Sequence, residues 1–246
     1  MTRNDALRSA PAQQGRRLVL AAGFAGALAP VVSIVPAFVP PIVLSTLLAG
    51  CGRRQPRARP VPRGATVLAL GDSLTFGTGA PNDAAWPAVL AGLTGWNLIN
   101  AGVPGDTSAQ GLQRLPALLD EHRPALVLVG LGGNDFLRRL DANAARDNLR
   151  RICEASLAAG AQVLLIAVPR PTALAAFVGA LDDHPLYAEL AAALKLPLHA
   201  GDEGGWAEVL GDARWRSDAI HANAEGYARF AQGLAARARR VGLLEG

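Results

Sequence analysis

The sequence predicts an α/β protein, a three-layer α/β/α sandwich with a central parallel sheet. Two observations carry the prediction. Short apolar runs alternate along the chain with stretches of helical periodicity. Those runs are apolar at successive positions, as strands covered on both faces must be, and each is flanked by Gly, Pro or Asn.

Taken in order, residues 67–70, 98–99, 126–130 and 163–168 read as strands. Between them, residues 84–93, 108–122 and 142–159 show helical spacing, with Leu112, Leu115, Leu118 and Leu119 along one face. Residues 221–241 close the chain as an Ala- and Arg-rich amphipathic helix. Strands separated by helices give a parallel sheet, whose reactive groups lie at the carboxyl ends of the strands. No internal repeat or compositional break divides residues 64–246, which read as one domain.

Charge is distributed unevenly over the 246 residues. Residues 1–63 carry nine arginines against one acid, Asp5, whereas the remaining 183 carry 15 basic and 19 acidic side chains, a net −4. The body is therefore acidic, which argues against a nucleic-acid partner, since counterion release needs positive charge on the folded surface.

Residues 18–49 contain no charge, follow Arg16-Arg17 and precede Cys51-Gly52-Arg53-Arg54. One straight helix over them would run about 48 Å, longer than a bilayer core. Pro30, Pro36, Pro40 and Pro41 argue against such a helix. Residues 1–50 read as a signal peptide, with an uncleaved membrane anchor as the alternative. Leu48-Ala49-Gly50-Cys51 resembles the lipobox of bacterial lipoproteins. That resemblance makes Cys51 the lipidation site and the body a periplasm-facing lipoprotein of the bacterial cell envelope. Residues 51–63, with Pro56, Pro60 and Pro62, read as a Pro/Arg-rich extended tether. Cys153 lies in a helical pattern and reads as a core thiol.

Four stretches carry chemistry. Gly71-Asp72-Ser73-Leu74 follows the first strand and places a hydroxyl on a tight turn. Asp218 and His221 stand three residues apart, close enough for a carboxylate to orient an imidazole. Together these are the parts of a serine hydrolase. Gly102-Val103-Pro104-Gly105 and Gly130-Leu131-Gly132-Gly133-Asn134 follow the second and third strands. With the Ser73 N–H, the Gly105 N–H and the Asn134 amide are candidate oxyanion donors, each typically worth about 10²–10³ in turnover.

These stretches resemble the SGNH (GDSL-type) hydrolase family, nearest its bacterial acyl-CoA thioesterase I/lysophospholipase/arylesterase members, over about residues 66–235. The resemblance implies a flavodoxin-like fold, Ser73 as nucleophile, His221 as base and Asp218 as orienting acid. It also implies an oxyanion hole of Ser73, Gly105 and Asn134. The implied substrates are lipid-like or aryl esters and thioesters, hydrolysed through an acyl-enzyme without a cofactor. Ala222 stands where the family commonly has proline, so a less fixed approach to the last helix is expected. Val168-Pro169-Arg170-Pro171 replaces a more aliphatic turn near the acyl site.

No metal-ligand spacing is present, and the G-x-S-x-G elbow is not met because Thr75 occupies its second glycine position. Asp72, Asp106 and Asp135 read as acceptors within their own turns. Asp135 is the alternative triad acid. His122, His184 and His199 read as surface or helix-end residues, and the four tryptophans as core or rim. Two other functions fit the same motifs: a carbohydrate O-deacetylase and a non-catalytic envelope binding module.

Overall fold

The computed structural model describes residues 58–170 and 181–245. The signal peptide or anchor read over residues 1–50, the lipidation site Cys51, and Pro171 lie outside them. Among the described residues no helix is long and apolar enough to cross a membrane.

Five parallel strands form the sheet: β1 Thr66–Gly71, β2 Asn97–Gly102, β3 Leu126–Gly130, β4 Gln162–Ile166 and β5 Leu198–His199. Their spatial order, β2-β1-β3-β4-β5, is the flavodoxin-like one. Every residue of β3 is buried, as are the last five of β1, which explains why both segments read as continuous apolar runs. The chain reverses direction across the sheet between β2 and β3, so a crevice opens beyond the carboxyl ends of β1 and β3. Ser73 stands just after β1 and Asn134 just after β3.

The helices are α1 Ser73–Phe76, α2 Trp86–Thr94, α3 Ser108–His122, α4 Gly133–Leu137, α5 Ala142–Ala158, α6 Leu186–Leu194, α7 Trp206–Gly211 and α8 Ala224–Val241. Helix α2 packs on α8, while α3 packs on α5 and α5 on α6. Each long helix begins on a side-chain cap. Thr107 and Gln110 form a reciprocal capping box on α3, Asp141 accepts from the Asn143 N–H on α5, and Asn223 accepts from the Gly226 N–H on α8. The closing helix therefore starts at Ala224, not at His221 as its periodicity predicts, because Asn223 diverts the backbone.

Beneath α8 the core is aromatic. Phe230 is fully buried and stacks on Trp206 at 3.7 Å, with the edges of Trp86 and His199 5.4 and 5.2 Å away. His199 is thus a core residue and not a surface one, and its burial pushes the imidazole down to about 3. Cys153 is buried as read, and desolvation pushes its thiol up to about 12.

The tether read over residues 51–63 needs correction in its second half. Residues 58–63 belong to the body: Ala58 and Val61 donate to Val241 and Leu243, and the Val61 carbonyl accepts from Trp96 Nε1 at 3.0 Å. Arg59 exchanges two backbone-to-side-chain hydrogen bonds with Gln162, of 2.7 and 2.8 Å. A Pro-rich composition signals extended backbone and says nothing of whether that backbone is docked.

Candidate active site

Ser73 is the first residue of α1, in a turn that leaves β1 sharply. Asp72 caps this turn, its Oδ1 accepting from the Leu74 N–H at 3.0 Å. The turn is tight because two glycines permit it: a Cβ on Gly102 would lie 2.2 Å from the Phe76 nitrogen, and one on Gly71 would overlap the Thr75 hydroxyl.

His221 reaches the same point from the other end of the chain. Its Nε2 lies 3.0 Å from Ser73 Oγ, and its Nδ1 lies 2.7 Å from Asp218 Oδ2. Asp218 Oδ1 accepts from the Ile220 and His221 amides, both at 2.8 Å, so one carboxylate shapes the loop and orients the ring. Desolvation opposes ionisation of Asp218, but the hydrogen bonds from His221 and from these two amides outweigh it and hold the carboxyl below its usual range. The approach to α8 is fixed without proline at 222. Ser217 N–H donates to the His221 carbonyl at 3.0 Å, Arg216 and Ala222 form an antiparallel bridge, and Asn223 Nδ2 donates to the Arg214 carbonyl at 2.8 Å. The looser approach expected from Ala222 is not found.

Gly105 adopts φ +85°, a left-handed conformation suited to glycine, in the loop between β2 and α3. Asn134 sits on the first turn of α4, and its Nδ2 donates to the Asp106 carbonyl at 3.0 Å and to Asp72 Oδ2 at 3.4 Å. The Asn134 amide thus stands beside Asp72, which precedes Ser73, and beside the carbonyl of Asp106, which follows Gly105.

Two of the acidic side chains behave differently from expectation. Asp106 accepts from Arg114 Nε at 2.7 Å, and the same guanidinium donates to the Gly71 carbonyl at 2.9 Å, tying the Gly105 loop to the end of β1. Asp135 accepts from the N–H and hydroxyl of Ser108 at 2.8 and 2.6 Å, tying the Asn134 turn to the start of α3. Neither serves its own turn. Engaged with Ser108, Asp135 does not take the place of Asp218 beside His221. Asp106, Ser108 and Asp135 are all buried, which makes these ties costly to break.

Asp72 is 3% exposed, and burial pushes its carboxyl up to about 6 despite the Leu74 N–H and the nearby His221. A carboxyl whose folded value exceeds its unfolded one favours the folded state fully below the unfolded value, near pH 4. That contribution is lost as pH rises through about 6, a difference of about 3 kcal/mol. Asp72→Asn should therefore gain stability relative to the parent between pH 4 and pH 7.5. Denaturant titrations of both proteins at the two pH values check this, and a constant gap would contradict it.

A cleft of about 300 Å³ opens over Ser73. Its walls include Leu74, Leu137, Val168, Leu181, Leu210 and Ile220, with Arg170 and Arg216 among the few charged groups. Phe136 stacks on His184 at 4.3 Å beside it, so His184 packs against the wall and takes no part in the triad. Trp86, Trp96 and Trp206 are core residues, and Trp215 is half-buried under Arg214 and Arg229. Among the described residues no group of acids, histidines and cysteines could hold a metal ion.

The family model described as GDSL-like Lipase/Acylhydrolase family matches residues 69–229, a span containing every one of these site residues. The chain belongs to this family. Thioesterase 1/protease 1/lysophospholipase L1 of Escherichia coli is 46% identical over 110 residues, covering 43% of this chain and 52% of the relative. Esterase TesA of Pseudomonas aeruginosa is 40% identical over 111 residues, covering 43% and 55%. The chain thus spans about half the length of the curated relatives it matches. Among solved structures, that of TesA superposes with a TM-score of 0.62 at 32% identity, covering 72% of this chain and 99% of that one. AlinE4, an SGNH-hydrolase family esterase, gives a TM-score of 0.54 at 31% identity, covering 73% and 95%. As a GDSL/SGNH family member the chain has the expected α/β sandwich and parallel sheet.

Proposed function

We propose that this chain is a serine esterase acting on ester or thioester bonds of lipid-like or aryl substrates. The observation that carries the reading is the continuous relay from Asp218 through His221 to Ser73 at the floor of an apolar cleft. In the acylation step His221 Nε2 takes the Ser73 proton as Oγ attacks the acyl carbonyl. The tetrahedral oxyanion is received by the Ser73 and Gly105 amides and the Asn134 side chain. Its collapse expels the alcohol or thiol, which leaves with the proton from His221, and the acyl group stays on Ser73. Water deprotonated by His221 then attacks the acyl-enzyme, and the carboxylic acid departs as Ser73 regains its proton. Asp218 stays ionised throughout and holds Nδ1–H, so that Nε2 is free to accept.

The apolar walls favour an acyl or aryl group over a sugar. A fluorophosphonate probe should label Ser73 stoichiometrically. An acyl-length series of p-nitrophenyl esters and matching thioesters should then show turnover rising from acetyl toward medium chains. Absence of labelling would assign a binding role instead, and a preference for acetylated sugar would assign an O-deacetylase.

Attachment to the bacterial envelope through Cys51 is part of the same proposal, supported by the lipobox-like Leu48-Ala49-Gly50-Cys51. Mass spectrometry of the membrane fraction should find diacylglyceryl-Cys51 at the N-terminus. Purified protein retaining residues 1–50 would overturn it.

A further inference from the structure

Among the described residues, seven large apolar side chains are exposed, and five of them lie on the loops that follow β1, β2 and β3 or precede His221. Phe76 ends α1 after β1, Val103 follows β2, Leu137 and Leu140 follow β3, and Ile220 precedes His221. They are spatially continuous. The Phe76 backbone lies against Gly102, next to Val103, and its carbonyl accepts from Asn100 Nδ2. Arg138 donates to the Gly105 carbonyl at 2.7 Å, which brings the 137–140 turn to the Val103 loop. Leu137 and Ile220 both line the cleft. Each is 42–49% exposed, where a soluble surface would ordinarily scatter such residues.

Cationic side chains stand among these apolar ones. Arg138 and Arg139 stand exposed between Leu137 and Leu140, and Arg216 lines the cleft opposite. Of the neighbouring acids, Asp106 is paired with Arg114 and Asp135 is buried against Ser108, whereas Asp218 and the α5 cap Asp141 keep their charge. Interleaved leucine and arginine, as in the exposed Leu137-Arg138-Arg139-Leu140, is the composition that enters a headgroup region. The cleft over Ser73 opens within this rim.

We infer that this rim docks on the surface of an anionic phospholipid bilayer. Phe76, Val103, Leu137, Leu140 and Ile220 enter the headgroup boundary, and Arg138 and Arg139 meet the lipid phosphates. The mouth of the cleft then opens directly onto the lipid, and an acyl chain passes to Ser73 without crossing water. This docking requires neither Ser73 chemistry nor Cys51 lipidation.

The test uses the full chain with Ser73→Ala to prevent hydrolysis and Cys51→Ser to remove its thiol; Cys153 is fully buried. An environment-sensitive dye is placed through Leu140→Cys, or through Leu157→Cys near the end of α5 as the control face. With phosphatidylglycerol vesicles the dye at position 140 should shift to the blue and the dye at 157 should not. Phosphatidylcholine vesicles should give no shift. Arg138→Gln with Arg139→Gln should abolish most of the shift at 140. Equal responses at 140 and 157, equal responses to the two lipids, or no response overturn the inference. So does a shift at 140 on concentrating the protein without vesicles, which assigns the rim to a second copy. Because the probe protein is inert, any of these results leaves the esterase proposal standing.

Discussion

Ser73→Ala should lower turnover of a p-nitrophenyl ester by about 10⁵–10⁶, and His221→Ala by a similar factor. The double variant should be no slower than either single one, because nucleophile and base act in the same step. Ser73 is partly exposed on a capped turn, and His221 is held through its own backbone, so neither truncation empties the core. Thermal melts should therefore superpose on the parent within a few degrees. The informative outcome is His221→Ala. If it keeps a tenth of the parent rate with the fold intact, another group takes the Ser73 proton and the relay described above is not the catalytic one.

Asp218→Asn should cost about 10⁴ in turnover with little change in KM, although the two side chains are nearly the same shape. The reason lies in which atom each oxygen serves. The Ile220 and His221 amides both donate to Oδ1, so an amide oxygen is retained there and the new NH₂ takes the Oδ2 position against Nδ1. Two donors cannot face each other at 2.7 Å. The ring moves its proton to Nε2, the atom that must accept from Ser73, and the base is lost while the loop stays capped. Asp218→Ala imposes no such tautomer and should be no slower than the asparagine variant. Rates measured across pH 6–9 for both variants check the argument. An asparagine variant near the parent rate would show that the exposed carboxylate, 52% accessible, is dispensable and that water orients the ring.

The meeting of Ser73, His221 and Asp218 was legible in the sequence because each sits beside its own local signal: a glycine before the Ser73 turn, and a three-residue spacing between acid and imidazole. Strands β1, β3 and β4 were legible because both faces are covered, which leaves an unbroken apolar run. Strand β5 was not, because two residues carry no period, and one of them is the buried His199. Helix α6 went unread as well, its Ala- and Leu-rich run showing too little polar contrast to mark a face. The ties that bring Gly105 and Asn134 together were also invisible. Asp135 meets Ser108 across 27 residues, and Arg114 meets the Gly71 carbonyl across 43, so nothing in either neighbourhood points to its partner. Short-range pairing inside a turn is the default for Asp and holds at Asp72, whereas Asp106 and Asp135 bond residues distant in sequence.

The glycine-packed turn that presents Ser73 has an evolutionary corollary. With Gly71 and Gly102 each pressed against α1, no side chain larger than hydrogen is accommodated at either position without moving the turn that carries Ser73. Changes of bulk among the cleft residues are better accommodated at Val168 and Leu181, which lie outside both this turn and the Asp218–His221 loop. Libraries built on this scaffold should randomise those two positions and leave the two glycines invariant.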